Sequence, residues 1–117
     1  MSKVILSQSK KVGQLIYVSG QVGVNKETGE FVGEDVQSQA KQAAANIESV
    51  LSEYNVGMES IVKANCYLTD MANYASFNEA YGECFISLPV RTCVAVKDLP
   101  FGALCEIEVI ASIDNIG

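Results

Sequence analysis

Residues 89–111 read PVRTCVAVKDLPFGALCEIEVIA, two runs of β-branched and apolar residues on either side of KDLPFG. Val, Ile and Thr fit a pleated surface while Pro and Gly punctuate the chain, so this stretch predicts two strands closed into a terminal hairpin. Three charges interrupt it: Arg91 near the start of the first strand, and Glu106 and Glu108 inside the second. Side chains alternate across a strand, which puts Cys105, Ile107, Val109 and Ala111 on one face and Leu104, Glu106, Glu108 and Ile110 on the other. By the same rule Cys93 shares a face with Arg91.

Upstream, QLIYVSGQVGV (14–24) has the Ile, Tyr and Val content of a strand, and Gly20 and Gly23 mark a bulge or a close backbone approach. NKETGE follows as a turn, with Gly29 free to take positive φ. From Glu34 the period becomes helical: Val36, Ala40, Ala43, Ala44, Ile47, Val50, Leu51 and Tyr54 fall on one face. Glu34 and Asp35 load the start of that helix with negative charge, and Asn55 to Gly57 end it. SIVKANCYLTD (60–70) reads as a strand, and Asp70 can cap a second helix with a stripe through Tyr74, Phe77, Tyr81 and Phe85. Pro89 closes the exit loop. The order strands, helix, strand, helix, strands defines an α+β domain with two helices on one face of a sheet.

The chain has 117 residues, the size of a single domain spanning 1–117. Its last strand keeps Leu104 and Ile110 on the face away from the helices, and residues 15–19 are apolar on both sides. A sheet apolar on both faces, with helices enough for one, needs a second cover, and a symmetric oligomer supplies it.

The formal charge of −6 and eight scattered Lys and Arg residues argue against general nucleic-acid affinity, which needs clustered cations to displace phosphate counterions. No apolar run is long enough to span a membrane, and MSKVILSQSKK lacks the pattern of an export signal, so a reducing, cytoplasmic setting is expected. Free thiols are then expected at the four cysteines, 66, 84, 93 and 105, which form no CxxC pair. Histidine is absent. That removes Ser-His and Cys-His nucleophile systems and imidazole-based ribonuclease chemistry, and with no tight Cys/His spacing no metal is expected either.

A carboxylate at an interface needs a partner. Arg91 is the natural one, giving either a structural ion pair that fixes assembly or a pocket in which its guanidinium awaits a ligand carboxylate. Spacing does not choose between them. From spacing alone Cys93 reads first as a small apolar filler, Ser19 as a turn residue and Asn78 as a solvent-facing amide.

Three segments together carry a resemblance: SGQ after an apolar strand, DMANYASFNEAYGECF on the second helix, and PVRTCV with EIE in the final stretch. In this order and spacing the chain resembles the RidA (YjgF) family, some members of which carry the label of translation-inhibiting endoribonuclease. The resemblance implies a chorismate-mutase-like α+β fold with a mixed sheet, assembled as a homotrimer with ligand clefts between subunits. It implies hydrolysis of reactive 2-imino and 2-enamino acids such as 2-iminobutanoate to 2-keto acids and ammonia, without a cofactor. By position Arg91 matches the carboxylate-binding arginine and Glu106 the glutamate that positions water. Cys93, Ser19 with Gly20, and Asn78 match residues lining the cleft. One position departs: Leu6 stands where the family has a cleft tyrosine in Gly-Pro-Tyr-Ser-Gln, and the loop ISLP before Arg91 is slightly short. A rival with the same pocket is a non-catalytic binder of small carboxylates.

Overall fold

The structure, a computed structural model, describes residues 5–113. Two neighbouring strands, β1 (Ser9–Val12) and β2 (Leu15–Gln21), form a hairpin turned by Gly13 at φ 60°. A two-stranded ribbon, β3 (Val24–Asn25) and β4 (Glu30–Phe31), closes over the predicted turn, with Gly29 at φ 79°. Then come α1 (Val36–Ser52), β5 (Ile61–Leu68), α2 (Tyr74–Cys84), β6 (Val90–Ala95) and β7 (Cys105–Ser112).

Five strands pair in the order β1-β2-β7-β5-β6. Every pairing is antiparallel except β5 with β6, so the sheet is mixed. Both helices cover one face. Ile16 and Val18 of β2, Ala64, Cys66 and Leu68 of β5, and Cys105, Ile107, Val109 and Ala111 of β7 are buried against Ile47, Leu51, Phe77 and Phe85. The alternation read from the last strand is therefore observed, and truncating Phe77 in such a core would cost about 3–5 kcal/mol. On the far face Tyr17 remains 43% exposed beside partly covered Leu15 and Ile110, whereas Leu104, expected there, precedes β7 and packs against the core on the helix side. Among the described residues no helix is long and apolar enough to cross a membrane.

The helix ends follow their chemistry. Asp35 is the N-cap of α1 rather than part of its first turn: its carboxylate accepts from the Ser38 backbone N–H at 3.1 Å and from the Ser38 hydroxyl. Those bonds hold its carboxyl below the ordinary carboxylate value. Asp70 caps the short 3₁₀ turn Met71–Asn73 that leads into α2, accepting from the Ala72 N–H at 2.9 Å. Gly23 packs against α1 so closely that a Cβ there would lie 2.5 Å from the Gln39 Cα, a backbone approach only glycine permits.

One expectation fails. The stretch 89–111 is not a hairpin, because β5 lies between β6 and β7: Cys93 pairs with Cys66 in parallel, and Cys66 pairs with Ile107 antiparallel. The chain leaves β5, runs through α2 and returns beside β5 in the same direction, the usual strand–helix–strand crossover. KDLPFG is then a bridge across the end of the sheet, fastened by Val96 N–H to Leu68 carbonyl (2.7 Å) and Thr69 N–H to Leu104 carbonyl (3.2 Å). Local composition is the same for either connection, since propensity carries no information about which strand lies alongside.

Candidate active site

The crossover decides where the charges go. Arg91 pairs with Ala64 and Cys93 with Cys66, both buried on the helix face, so Arg91 and Cys93 lie on that side at the sheet's edge. Glu106 pairs with Tyr67 and Glu108 with Asn65, on the opposite face. Within one chain Arg91 and the two glutamates are separated by the thickness of the sheet and by β5. Within one chain they form no ion pair; among the described residues the ion pair present is Lys41–Glu83 at 3.4 Å, on the surface.

Arg91 is held by neutral groups instead. Its Nη1 donates to the Asn78 Oδ1 at 2.7 Å and its Nη2 to the Tyr74 hydroxyl at 3.2 Å. The guanidinium carbon lies 4.8 Å from the Tyr81 ring centroid and 5.7 Å from that of Tyr74. Tyr81 itself stacks on Phe85 at 4.3 Å, and burial pushes its hydroxyl up to about 12. The arginine is thus oriented by two hydrogen bonds and a cation–π platform while its charge stays uncompensated among the described residues. Asn78 is not a free surface amide, and Tyr74, read from periodicity as core, is 39% exposed and belongs to this corner. Tyr74 and Asn78 stand four positions apart on α2, one helical turn, which is the signal that would have joined them.

Cys93 lies half-buried on the same strand. Burial raises its thiol above the ordinary value, against a smaller opposing pull from Arg91, and burial drives Cys66 and Cys105 up to about 12. These are thiols, unsuited to nucleophilic attack. Among the described residues no three Cys, Asp or Glu side chains gather as a metal site.

The second corner forms around Glu106. Its carboxylate rests on Gly20, where a Cβ would come within 2.7 Å of the Glu106 Cδ and Oε2. Gly20 sits in the bulge of β2, where pairing with β7 slips between Val18 and Gln21, as the glycine pattern suggested. Buried Gln21 ties this bulge to the chain before β1, donating to the Gln8 Oε1 at 3.0 Å and to the Ser19 carbonyl at 3.2 Å. A cavity of about 370 Å³ opens here, lined by Leu6, Ser19, Gly20, Lys26, Phe101 and Glu106 among others. Leu6 therefore does line a cleft with the glutamate, and it brings no hydroxyl. Burial raises the Glu106 carboxyl above its ordinary value, and the neighbouring Glu108 charge raises it further. Among the described residues no group donates a hydrogen bond to Glu106, whereas Glu108 accepts from Tyr67 at 2.7 Å and Asn65 at 3.1 Å.

The structure thus joins Arg91, Cys93 and Asn78 in one corner, and Ser19, Gly20 and Glu106 in another on the far face. Sequence reasoning missed Tyr74 and Tyr81 as supports of Arg91, and Phe101 and Lys26 on the Glu106 cavity.

Comparison with known proteins returns the same two-helix cover on a mixed sheet. The family profile described as endoribonuclease L-PSP matches residues 2–113. A RutC family protein of Pyrococcus abyssi is 42% identical, the alignment covering 90% of this chain and 84% of that protein. The crystal structure of yeast Mmf1 superposes with a TM-score of 0.90 at 35% identity, covering 97% of this chain and 90% of Mmf1. That of E. coli TdcF with bound serine gives 0.88 at 31% identity, covering 95% and 90%. The chain belongs to the endoribonuclease L-PSP family, the RidA/YjgF group that the sequence motifs resemble.

Proposed function

We propose that this protein hydrolyses 2-imino and 2-enamino acids to 2-keto acids and ammonia, in clefts formed between copies of the chain in a homotrimer. The observation that carries the reading is Arg91: a guanidinium oriented by Asn78, Tyr74 and Tyr81, with no carboxylate of its own chain within reach among the described residues. Its remaining N–H donors suit a ligand carboxylate, and two parallel charge-assisted bonds fix that group in position. Because Glu106 faces the other side of the sheet, the pair converges only if Arg91 of one copy meets Glu106 of a neighbour. The half-exposed apolar face around Tyr17 gives a reason for such assembly.

The chemistry needs little more. The imine carbon is electrophilic, most of all when its nitrogen is protonated. Glu106 as carboxylate holds a water against C2 and takes its proton as oxygen bonds to carbon, giving a carbinolamine. That proton then passes to the nitrogen, and as the C–N bond breaks Glu106 takes the hydroxyl proton, so that ammonia leaves the 2-keto acid. Ser19 and Gly20 border the water's side of the cleft, while Cys93 and Asn78 border the carboxylate's side. No metal or nucleophilic side chain takes part.

Added to a PLP-dependent threonine dehydratase with threonine, the protein should accelerate 2-ketobutyrate formation. A rate equal to that without it would exclude the hydrolase. The serine bound in TdcF, an amino acid with the carboxylate this site is built for, favours a second reading as a carboxylate-binding regulator. That reading predicts ligand binding without acceleration in the same assay. Ribonuclease action draws no support from a chain of charge −6 without histidine.

A further inference from the structure

We infer that Phe101, with Leu6, forms an apolar wall of the Glu106 cavity that selects substrates with bulky apolar side chains over the smallest ones; this rests on the imine-hydrolase reading above. Phe101 is 83% exposed and Leu6 62%, and both line the same 370 Å³ space as Ser19, Gly20 and Glu106. A single exposed phenylalanine is unremarkable, but this one is held out deliberately by the backbone. Phe101 has φ 61°, ψ 18°, a left-handed conformation unfavourable for an aromatic residue, and Gly102 follows at φ 74°. The ends of the loop maintain that geometry. Gly102 N–H donates to the Leu99 carbonyl at 3.3 Å and Ala103 N–H to that of Pro100 at 3.1 Å. Ala103 is buried, and the Leu104 N–H donates to Gln39 of α1 at 2.9 Å. Strain sustained in this way, with the ring turned into a cavity that contains the proposed base, marks a surface meant to be covered by a ligand.

The chemistry of the occupant follows. With the carboxylate on Arg91 and C2 at the Glu106 water, the substituent on C2 is the part left to meet carbon. A methyl is too short to cover either side chain, whereas an isobutyl or benzyl group buries against both. Each further buried methylene tightens binding about fourfold. The favoured substrates are 2-imino acids corresponding to leucine-like or phenylalanine-like amino acids.

Stable 2-keto acids, the products, serve as probes: calorimetric dissociation constants of pyruvate, 4-methyl-2-oxopentanoate and phenylpyruvate for the assembled protein. The wild type should favour the two larger acids by about tenfold over pyruvate, the equivalent of between one and two methylenes covered on this open wall. Phe101→Ala should collapse that ratio to about twofold, and Phe101→Leu should keep most of it. A wild type without preference, or a Phe101→Ala variant that retains it, overturns the inference while leaving the hydrolase reading intact. A Phe101→Ala protein that falls apart on size exclusion also overturns it, by making the ring a subunit contact. Arg91→Ala should lose all three ligands; undiminished binding there sinks the carboxylate reading and the inference together.

Discussion

The two charged corners of this molecule are built to different degrees. Around Arg91 everything is in place: an amide, a phenol and an aromatic ring fix the guanidinium. Around Glu106 almost nothing is; no described group donates to it, it lies on a glycine, and it opens on a cavity. Two residues further along β7, Glu108 has the same side chain on the same face and two donors. The contrast separates a charge placed to be met from one that is satisfied. A cation that is oriented but uncompensated, and an anion that is raised in pKa but unbonded, each lack the other half of an interaction, and within a chain they cannot supply it to one another.

Separating the corners onto different copies gives the largest expected effect. Arg91→Ala removes two charge-assisted bonds of about 1.5–3 kcal/mol each, a loss of at least about a hundredfold in kcat/KM. Glu106→Gln keeps the shape but not the base, and should slow hydrolysis by ~10²–10⁴-fold. If the two variants are denatured, mixed and refolded together, about a quarter of the clefts regain an intact Arg91 opposite an intact Glu106, and activity returns in proportion. A mixture as inactive as its components would break the comparison by placing both groups in one chain's site.

A smaller effect isolates the Glu106 corner alone. In Gly20→Ala the new methyl meets the end of a flexible side chain and not backbone, so the protein should stay folded, with an unchanged circular dichroism spectrum. The carboxylate must move aside, and a displacement near 1 Å from the water-holding position costs up to about a hundredfold in kcat. Full activity in that variant would mean the glutamate's placement is unimportant.

The smallest effect concerns pH. Glu106 acts as base only when ionised, so the acid limb of kcat/KM follows its pKa, which burial first and Glu108 second hold above 4.5. Glu108→Gln removes the repulsion and should move that limb to lower pH with little change on the plateau. The same raised pKa means this group favours the folded state below 4.5 and loses that contribution as pH climbs through its folded value. An acid limb that stays put would show that Glu108 does not influence its neighbour.

Much of the architecture was legible from period alone. The stripe of α1 and the alternation of β5 and β7 correspond to one buried face each, because burial is what imposes the period. β1 was not legible: SKKV is polar, as edge strands commonly are, since lysines there discourage further pairing. The partner of β6 was not legible either, because two β-rich runs around a Pro-Gly loop look alike whether they pair or are separated by a third strand. For the site, family motifs singled out Arg91, Glu106, Ser19, Gly20, Cys93 and Asn78, but their division between two faces depends on that unreadable pairing. Tyr74 was absorbed into the apolar stripe because a tyrosine's ring and hydroxyl answer to different environments.

The bridge between β6 and β7 has a consequence for engineering. In a hairpin the turn is what keeps two strands in register, so cutting it releases both. Here each strand is held by β5 independently, and β7 by β2 as well. The polypeptide can accordingly be interrupted between Val96 and Leu99 without removing any partner from either strand, offering an insertion point for a fused domain a few residues from the Phe101 loop.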